Sequence, residues 1–448
     1  ILQAQSWQNF KSLTAYNGMQ TTNDYAQKIR PFKEDMLVAI IKDNNNTYGF
    51  SLWIDDSNLV TNKFFASQNI IVSDMCILGD TLYFCGKRLT AQGNTGIIGR
   101  LSMQDFISSS TSAFQYETAD INTTEHLTHL VAYNKPDSDI VFIVAIGNNG
   151  LSNNQTGRYV FVYYDPSNSS TASYTCSCPF ISSNKKEIFE DICLTDNHVA
   201  TISRIYPDSE FIIRTFELAN PTNNQYKNSF SFSNNPYFNT SFVISEFPLH
   251  ITHLGNDKVA VCVSVSYQSN YYYTMVNTLG VTSQNISSTQ LVPYDEKANK
   301  PLELDYLAET NQLLLLNSCY LQGTGRITQT ITVLNPDTIP PYNATMEFFD
   351  STGYEFKHLS VIPNSRYAAI GTYQYQNQNQ YNQLVSTKYF NYNGSCMEFH
   401  AVSIGTINNT PQATSAGNLT SSPNPTTITW TTGNIGGNSL GITTNCVE

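Results

Sequence analysis

Charge is scarce in this chain. Only 13% of its 448 residues are Asp, Glu, Lys or Arg, about half the usual share in a soluble domain. The charge that is present leans acidic, with 35 Asp and Glu against 23 Lys and Arg. No Lys/Arg cluster occurs, so the electrostatic footprint of a nucleic-acid partner is missing. No apolar run approaches the ~18 residues of a membrane-crossing helix. Helical periodicity is absent as well. Disorder is excluded by what replaces the charge: 28 Tyr, 24 Phe and an abundance of Asn, Gln, Ser and Thr. Catalytic signatures are also lacking. There is no Gly-x-Ser-x-Gly elbow, no phosphate-binding or dinucleotide glycine pattern, and no HExxH. These absences point to a non-catalytic chain with no cofactor, no catalytic residue and no metal ligand.

What is present is a repeat. A polar Asp or His followed by apolar residues, a turn and an apolar run recurs from Asp24, Asp74, His129, Asp191, His253, Asp305 and His358, at spacings of 50, 55, 62, 62, 52 and 53 residues. After each turn comes a short run rich in Val, Ile, Leu, Tyr and Phe: MLVAII, TLYFCG, DIVFIVAIG, HVATIS, KVAVCVSV, QLLLLN and YAAIGTY. Such runs bounded by Gly, Asn or Asp read as buried strands. Alternating segments ending in Asn-Pro, Asp-Pro or Asn-Gly turns follow, and most units add a weaker fourth strand. The expected fold is therefore all-β: a seven-bladed β-propeller of four-stranded antiparallel blades with a polar C-terminal appendage. Residues 21–405 form the propeller. Residues 1–20 are an N-terminal segment, with one end of the chain supplying a ring-closing strand. Residues 406–448, rich in Thr, Ser and Asn, read as a loosely structured tail.

On these repeats the chain resembles exported β-propellers of Bacteroidota-type bacteria, whose blades often begin with a hydrophobic-x-Asp-hydrophobic strand. The resemblance covers about residues 20–405 and is to an architecture. It implies an exported protein. Ile1-Leu2-Gln3-Ala4-Gln5 reads either as the remnant of a signal segment or as an arbitrary boundary. SPNPT at 422–426 resembles the start of the sorting domains of type IX secretion cargo. The box of sialidase-type propellers and the double-Gly kelch motif are both missing.

The seven Asp/His positions are the first candidates for chemistry. Lining a central channel, they would form a ring of carboxylates and imidazoles able to hold a cation or ligand. Their presence in every unit favours a structural role instead, each side chain bonding backbone of a neighbouring strand. His126-x-x-His129 and His250-x-x-His253 have metal-like spacing, but residues three apart on a strand point to opposite faces. The Cys count is nine. Cys76, Cys85, Cys193 and Cys262 fall at repeated positions and read as small core residues. Cys76 with Cys85, and Cys396 with Cys446, are candidate pairs, while Cys176-x-Cys178 is weak evidence for a metal. Asn-x-Ser/Thr acceptors number ten, about what composition alone gives. Asp43-Asn44-Asn45-Asn46 reads as an Asn-rich turn rather than a calcium loop.

Function is expected to be that of an exported or cell-surface interaction or assembly component with a protein partner. The alternatives are a glycan-binding or glycan-degrading propeller and a purely structural part of a surface assembly. The long loops at 151–158, 166–185, 221–240 and 374–383, rich in Tyr, Asn and Gln, are the expected contact sites.

Overall fold

The computed structural model describes residues 9–13, 25–33, 35–43, 45–54, 59–108, 114–123, 125–149, 156–167, 170–177, 186–206, 210–222, 224–231, 243–244, 248–267, 271–283, 286–292, 299–321, 326–339, 342–349, 354–362, 366–374, 381–389, 398–404, 412–421, 426–436 and 439–446. Consecutive strands pair antiparallel in units, each with a first, second, third and fourth strand. Unit one is Tyr25–Lys33, Met36–Lys42, Tyr48–Ile54 and Leu59–Phe65; unit two is Ile70–Leu78, Thr81–Thr90, Gly93–Ser102 and Phe114–Thr123. Unit three is Glu125–Asn134, Val141–Asn149, Thr156–Asp165 and Ser170–Ser177; unit four is Lys186–Leu194, His198–Tyr206, Glu210–Glu217 and Asn224–Ser231. Unit five is His250–Gly255, Lys258–Tyr267, Tyr271–Gly280 and Ile286–Val292; unit six is Asn299–Leu307, Gln312–Leu321, Arg326–Leu334 and Tyr342–Phe349. Unit seven is Tyr354–Ile362, Arg366–Gln374 and Tyr381–Tyr389, and its fourth strand is Asn9–Leu13 from the other end of the chain. The all-β expectation holds, with one short helix at Met103–Ser108 whose Met103 and Phe106 are buried. A helix of this length is too short to show a period in sequence.

Each first strand packs on the first strand of the next unit, and that of unit seven packs on that of unit one. Apolar cores fill the faces between neighbouring units. Val38, Ile40 and Phe50 of unit one meet Val72, Leu82 and Phe84 of unit two. Ala200 and Ile202 meet Val259 and Val261 across units four and five, and Ile362 and Ala368 of unit seven meet Ile29 and Leu37 of unit one. A strand buried on both faces must be apolar at every position. That is why the second strands read as the unbroken runs Val141–Ile146 and Leu313–Leu316, all of them buried.

The sheet layout departs from separate four-stranded blades. The C-terminal residues, those from 406 on read in sequence as a loose tail, run back along the outer edges as extra strands. Glu398–Ile404 pairs with unit six, Gln412–Ser415 with unit four, and Thr420–Ser421 and Thr426–Thr427 with unit three. Trp430–Gly436 pairs with the fourth strands of units one and two. Ser439–Cys446 pairs with Leu59–Phe65 of unit one and with Asn9–Leu13. Units seven, one and two are thereby joined into a single 14-stranded sheet. An exposed edge strand offers unpaired backbone groups to any passing strand, and Thr is a good strand former. A Thr-rich segment with no core of its own finds its hydrogen-bond partners there.

Candidate functional site

The first strands of six of the seven units carry a bulge at nearly the same place: after Ala26, Val72, Leu127, Phe189, Pro301 and Phe356. A bulge inserts one extra residue and turns the following side chain. Gly147 and Gly86 pair with Leu127 and Val72, next to two of these bulges, and a Cβ on either would strike the carbonyl of His126 or Ile71. The residue just past each bulge is Lys28, Asp74, His129, Asp191, Glu303 and His358, paired with Ile40, Cys85, Ile146, Ile202, Leu316 and Ile370 of the second strands. In unit five the equivalent residue is His250, which pairs with Cys262.

This register differs from the sequence reading in units five and six. Asp74, His129, Asp191 and His358 stand where expected. Asp24 lies outside the described residues, and unit one presents Lys28 instead. Unit five presents His250 rather than His253, whose Nε2 lies 3.6 Å from Asp196 at a turn. Unit six presents Glu303 rather than Asp305, which sits two residues further along the strand. The backbone amides agree: Asp74 Oδ2 accepts from Leu130 N at 3.1 Å, and Asp191 Oδ2 accepts from Ile251 N at 3.1 Å. Leu130 and Ile251 therefore correspond, and so do His129 and His250. Lys28 and Glu303 escaped because the ring position requires a polar side chain, not Asp or His specifically.

The seven side chains form a charge network. Lys28 Nζ lies 3.0 Å from Asp74 Oδ1, and Arg30 Nη2 lies 3.9 Å from the same oxygen. Arg30 Nη1 is 3.2 Å from His358 Nε2, and Glu303 Oε2 is 3.1 Å from that nitrogen. Arg30 can only donate. His358 Nε2 has a single lone pair, so it accepts from Arg30 in one tautomer and donates to the Glu303 carboxylate in the other. Asp191 Oδ1 accepts from its neighbour Ile192 N at 2.8 Å and lies 4.0 Å from His129 Nε2, while Oδ2 lies 3.6 Å from His250 Nδ1. Asp305 accepts from Val361 N and Tyr306 N, both at 2.8 Å.

Burial and neighbouring charge set the protonation of these groups. Burial, reinforced by Asp191 and opposed by His250, pushes Glu303 up to about 7. Burial would also raise Asp191, but the His250 contact and His129 hold it well below the usual carboxylate range. His250 is raised in turn: burial disfavours its charged form, and Asp191 and Glu303 outweigh that. Burial and Lys28 push His129 down to about 4, and burial with Arg30 keeps His358 well below its ordinary value. Perturbed titratable groups of this kind gather at functional sites.

The two His-x-x-His pairs do not converge. His126 Nε2 is 2.9 Å from Ser73 Oγ, away from His129, while His250 and His253 face Asp191 and Asp196. Cys76, Cys85, Cys193 and Cys262 are free thiols, so the pairing considered for Cys76 and Cys85 is not made. Cys76 pairs with Tyr83, and Cys85 with Asp74. Burial raises all four thiols, which makes them inert core residues. Cys178, Cys396 and most of the four expected contact loops lie outside the described residues.

His126 supplies a pH prediction. Burial and the charge of Lys87 push its pKa down from 6.5 to about 4. Between those values the unfolded imidazole holds a proton that the folded one does not. Its contribution is therefore complete above pH 6.5 and is lost as pH falls toward 4. Replacing His126 with Gln should remove about 1–2 kcal/mol of the acid-side loss, since the ring keeps some solvent contact. Urea unfolding of both proteins at pH 7 and pH 4.5 checks this, and parallel pH dependences would refute it.

No protein-family model matches this chain, and no curated protein does. Among solved structures it is similar to one described as polysaccharide lyase Uly1. The two are 8% identical with a TM-score of 0.46, over 81% of this chain and 89% of that one. No helix among the described residues is long and apolar enough to cross a membrane.

Proposed function

We propose that the seven units, residues 21–405, close into a seven-bladed β-propeller, and that the protein is an exported, non-catalytic binding or assembly component. Its partner meets the ends of the ring, where the loops and the axial polar cluster lie. The observation that carries this reading is how the axial carboxylates are engaged. Asp74, Asp191 and Asp305 each accept a backbone N–H from a neighbouring unit at 2.8–3.1 Å. They staple units together, as buried acceptors must be paired, which suits a rigid scaffold. Most other surfaces are occupied: apolar cores fill the faces between units, and, among the described residues, C-terminal strands pair along the outer edge of every unit but the fifth. Recognition is left to the ends, where such scaffolds usually carry it.

A second reading, a glycan-degrading propeller, has one observation in its favour. Glu303 faces side chains rather than a neighbouring unit's amide, with His358 at 3.1 Å and Arg30 on the same nitrogen. A carboxyl beside a neutral imidazole and a guanidinium is a plausible acid–base constellation for sugar chemistry. Panels of oligosaccharides and peptides, assayed for both binding and product release, separate the two. The scaffold reading expects saturable binding and no turnover. Sustained product formation, abolished by Glu303→Gln, would establish the second reading and refute the first.

A further inference from the structure

We propose that Asp191, His250 and Glu303 hold one divalent transition-metal ion of the zinc class. The three residues come from consecutive units four, five and six and occupy the same position in each first strand, so they converge by the symmetry of the repeat. One ligand atom from each lies within 4.8 Å of the other two. Around zinc such atoms stand about 3.4 Å apart, given bonds of about 2.0–2.1 Å. Binding therefore draws them together by about 1 Å, which rotation of the Glu303 side chain can supply.

Independent observations point to a ligand here. His250 is 9% exposed; its Nδ1 lies 3.6 Å from Asp191 Oδ2, a distance already close to that between two zinc ligands, and its Nε2 is buried with no hydrogen-bond partner. A buried polar nitrogen left unmatched is costly and calls for an explanation, a missing ion among them. The cationic side chains of the cluster are engaged elsewhere on the ring. Lys28 and Arg30 lie against Asp74, and Arg30 also reaches His358. The arc from unit four to unit six thus presents two carboxylates and an imidazole with no ammonium or guanidinium at ion-pair distance among the described residues. Asp191 is fixed by the amides of Ile192 and Ile251, yet each carboxylate oxygen keeps a second lone pair for a metal. One imidazole with two carboxylates suits zinc, manganese or cobalt, whereas calcium and magnesium prefer all-oxygen shells. Three protein ligands leave a fourth position open to water or to a ligand. The ion does not depend on which partner the ring binds.

The test titrates zinc chloride into the full-length chain, stripped with a chelator, at pH 7.5 by calorimetry. One ion per chain with micromolar or tighter affinity is expected. Glu303→Gln and His250→Gln should each weaken binding at least tenfold. Asp305→Asn, at a half-buried carboxylate two residues further along the strand, should leave it unchanged. Absence of a one-to-one isotherm in the parent, or an affinity in either ligand variant equal to that of the parent, overturns the proposal. Should either variant fail to fold by circular dichroism, an anomalous difference map at the zinc edge from parent crystals decides. A peak between Asp191, His250 and Glu303 supports the site, and a map without one refutes it. A parent chain that binds no zinc yet still binds its partner would refute the metal site alone.

Discussion

Replacing Glu187 with Ala is expected to lower the unfolding free energy by about 3–5 kcal/mol, the usual effect of stranding one member of a buried ion pair. Arg214 and Glu187 are both completely buried in unit four, joined by two bonds: Nε to Oε1 at 2.8 Å and Nη2 to Oε2 at 2.7 Å. Ser203 Oγ donates to Oε1 at 2.7 Å, and Arg214 Nη1 donates to the carbonyl of Gly417 at 2.7 Å. Without the carboxylate, a guanidinium is left in an apolar site with only part of its donors satisfied. The pair itself need not be stabilising, because desolvation offsets much of the attraction. A double replacement, Glu187→Leu with Arg214→Met, should recover most of the loss. Urea unfolding of the three variants measures both effects. A single-variant loss under about 1 kcal/mol would show that the charge is not stranded.

Ending the chain at residue 411 should cost about 5 kcal/mol or more, and the shortened protein should self-associate. Ile435, Ile428 and Ala416 are buried by the C-terminal strands, and each large apolar side chain contributes about 1.5–3 kcal/mol. Trp430 donates from Nε1 to Thr171 Oγ1 at 2.9 Å, and the Arg100 guanidinium lies 4.0 Å from the Tyr164 ring centre and 4.5 Å from that of Trp430. Removing these strands also exposes fourth-strand edges along units one to four, which invite pairing with another molecule. Light scattering and thermal melting check both consequences. A truncated chain that stays monomeric and melts with the parent would contradict this account of the C-terminal strands.

Much of the strand order was legible because the second strands are buried on both faces and must be apolar throughout. Four of the seven axial residues were legible for the same reason, since the repeat marks where each first strand begins. Two others, His253 and Asp305, were misplaced by register, and Asp24 lies outside the described residues. The signature of a polar residue before apolar ones fits His250 and His253 equally well. What separates them is the pairing partner on the second strand, which is not local to the signature. Aligning the second strands would have found all seven, because Ile40, Cys85, Ile146, Ile202, Cys262, Leu316 and Ile370 oppose them. The pairing of the C-terminal strands was illegible for a different reason. A Thr/Ser/Asn-rich segment carries no pattern of its own, and its partners lie more than 150 residues away, as Ser415 and Asn228 do.

Asp191, His250, Glu303, His129 and His358 converge on one axial cluster. Its most direct test is nitrogen-detected NMR titration of the histidines in the chelator-stripped protein, with resonances assigned by single His→Gln replacements. His250 should hold its proton above the ordinary value of 6.5, stabilised by Asp191 and Glu303, while His129 stays neutral down to about pH 4 and His358 titrates well below its ordinary value. If His250 and His129 both titrate at ordinary values, independently of one another and of Asp191→Asn, the axial cluster does not exist as described.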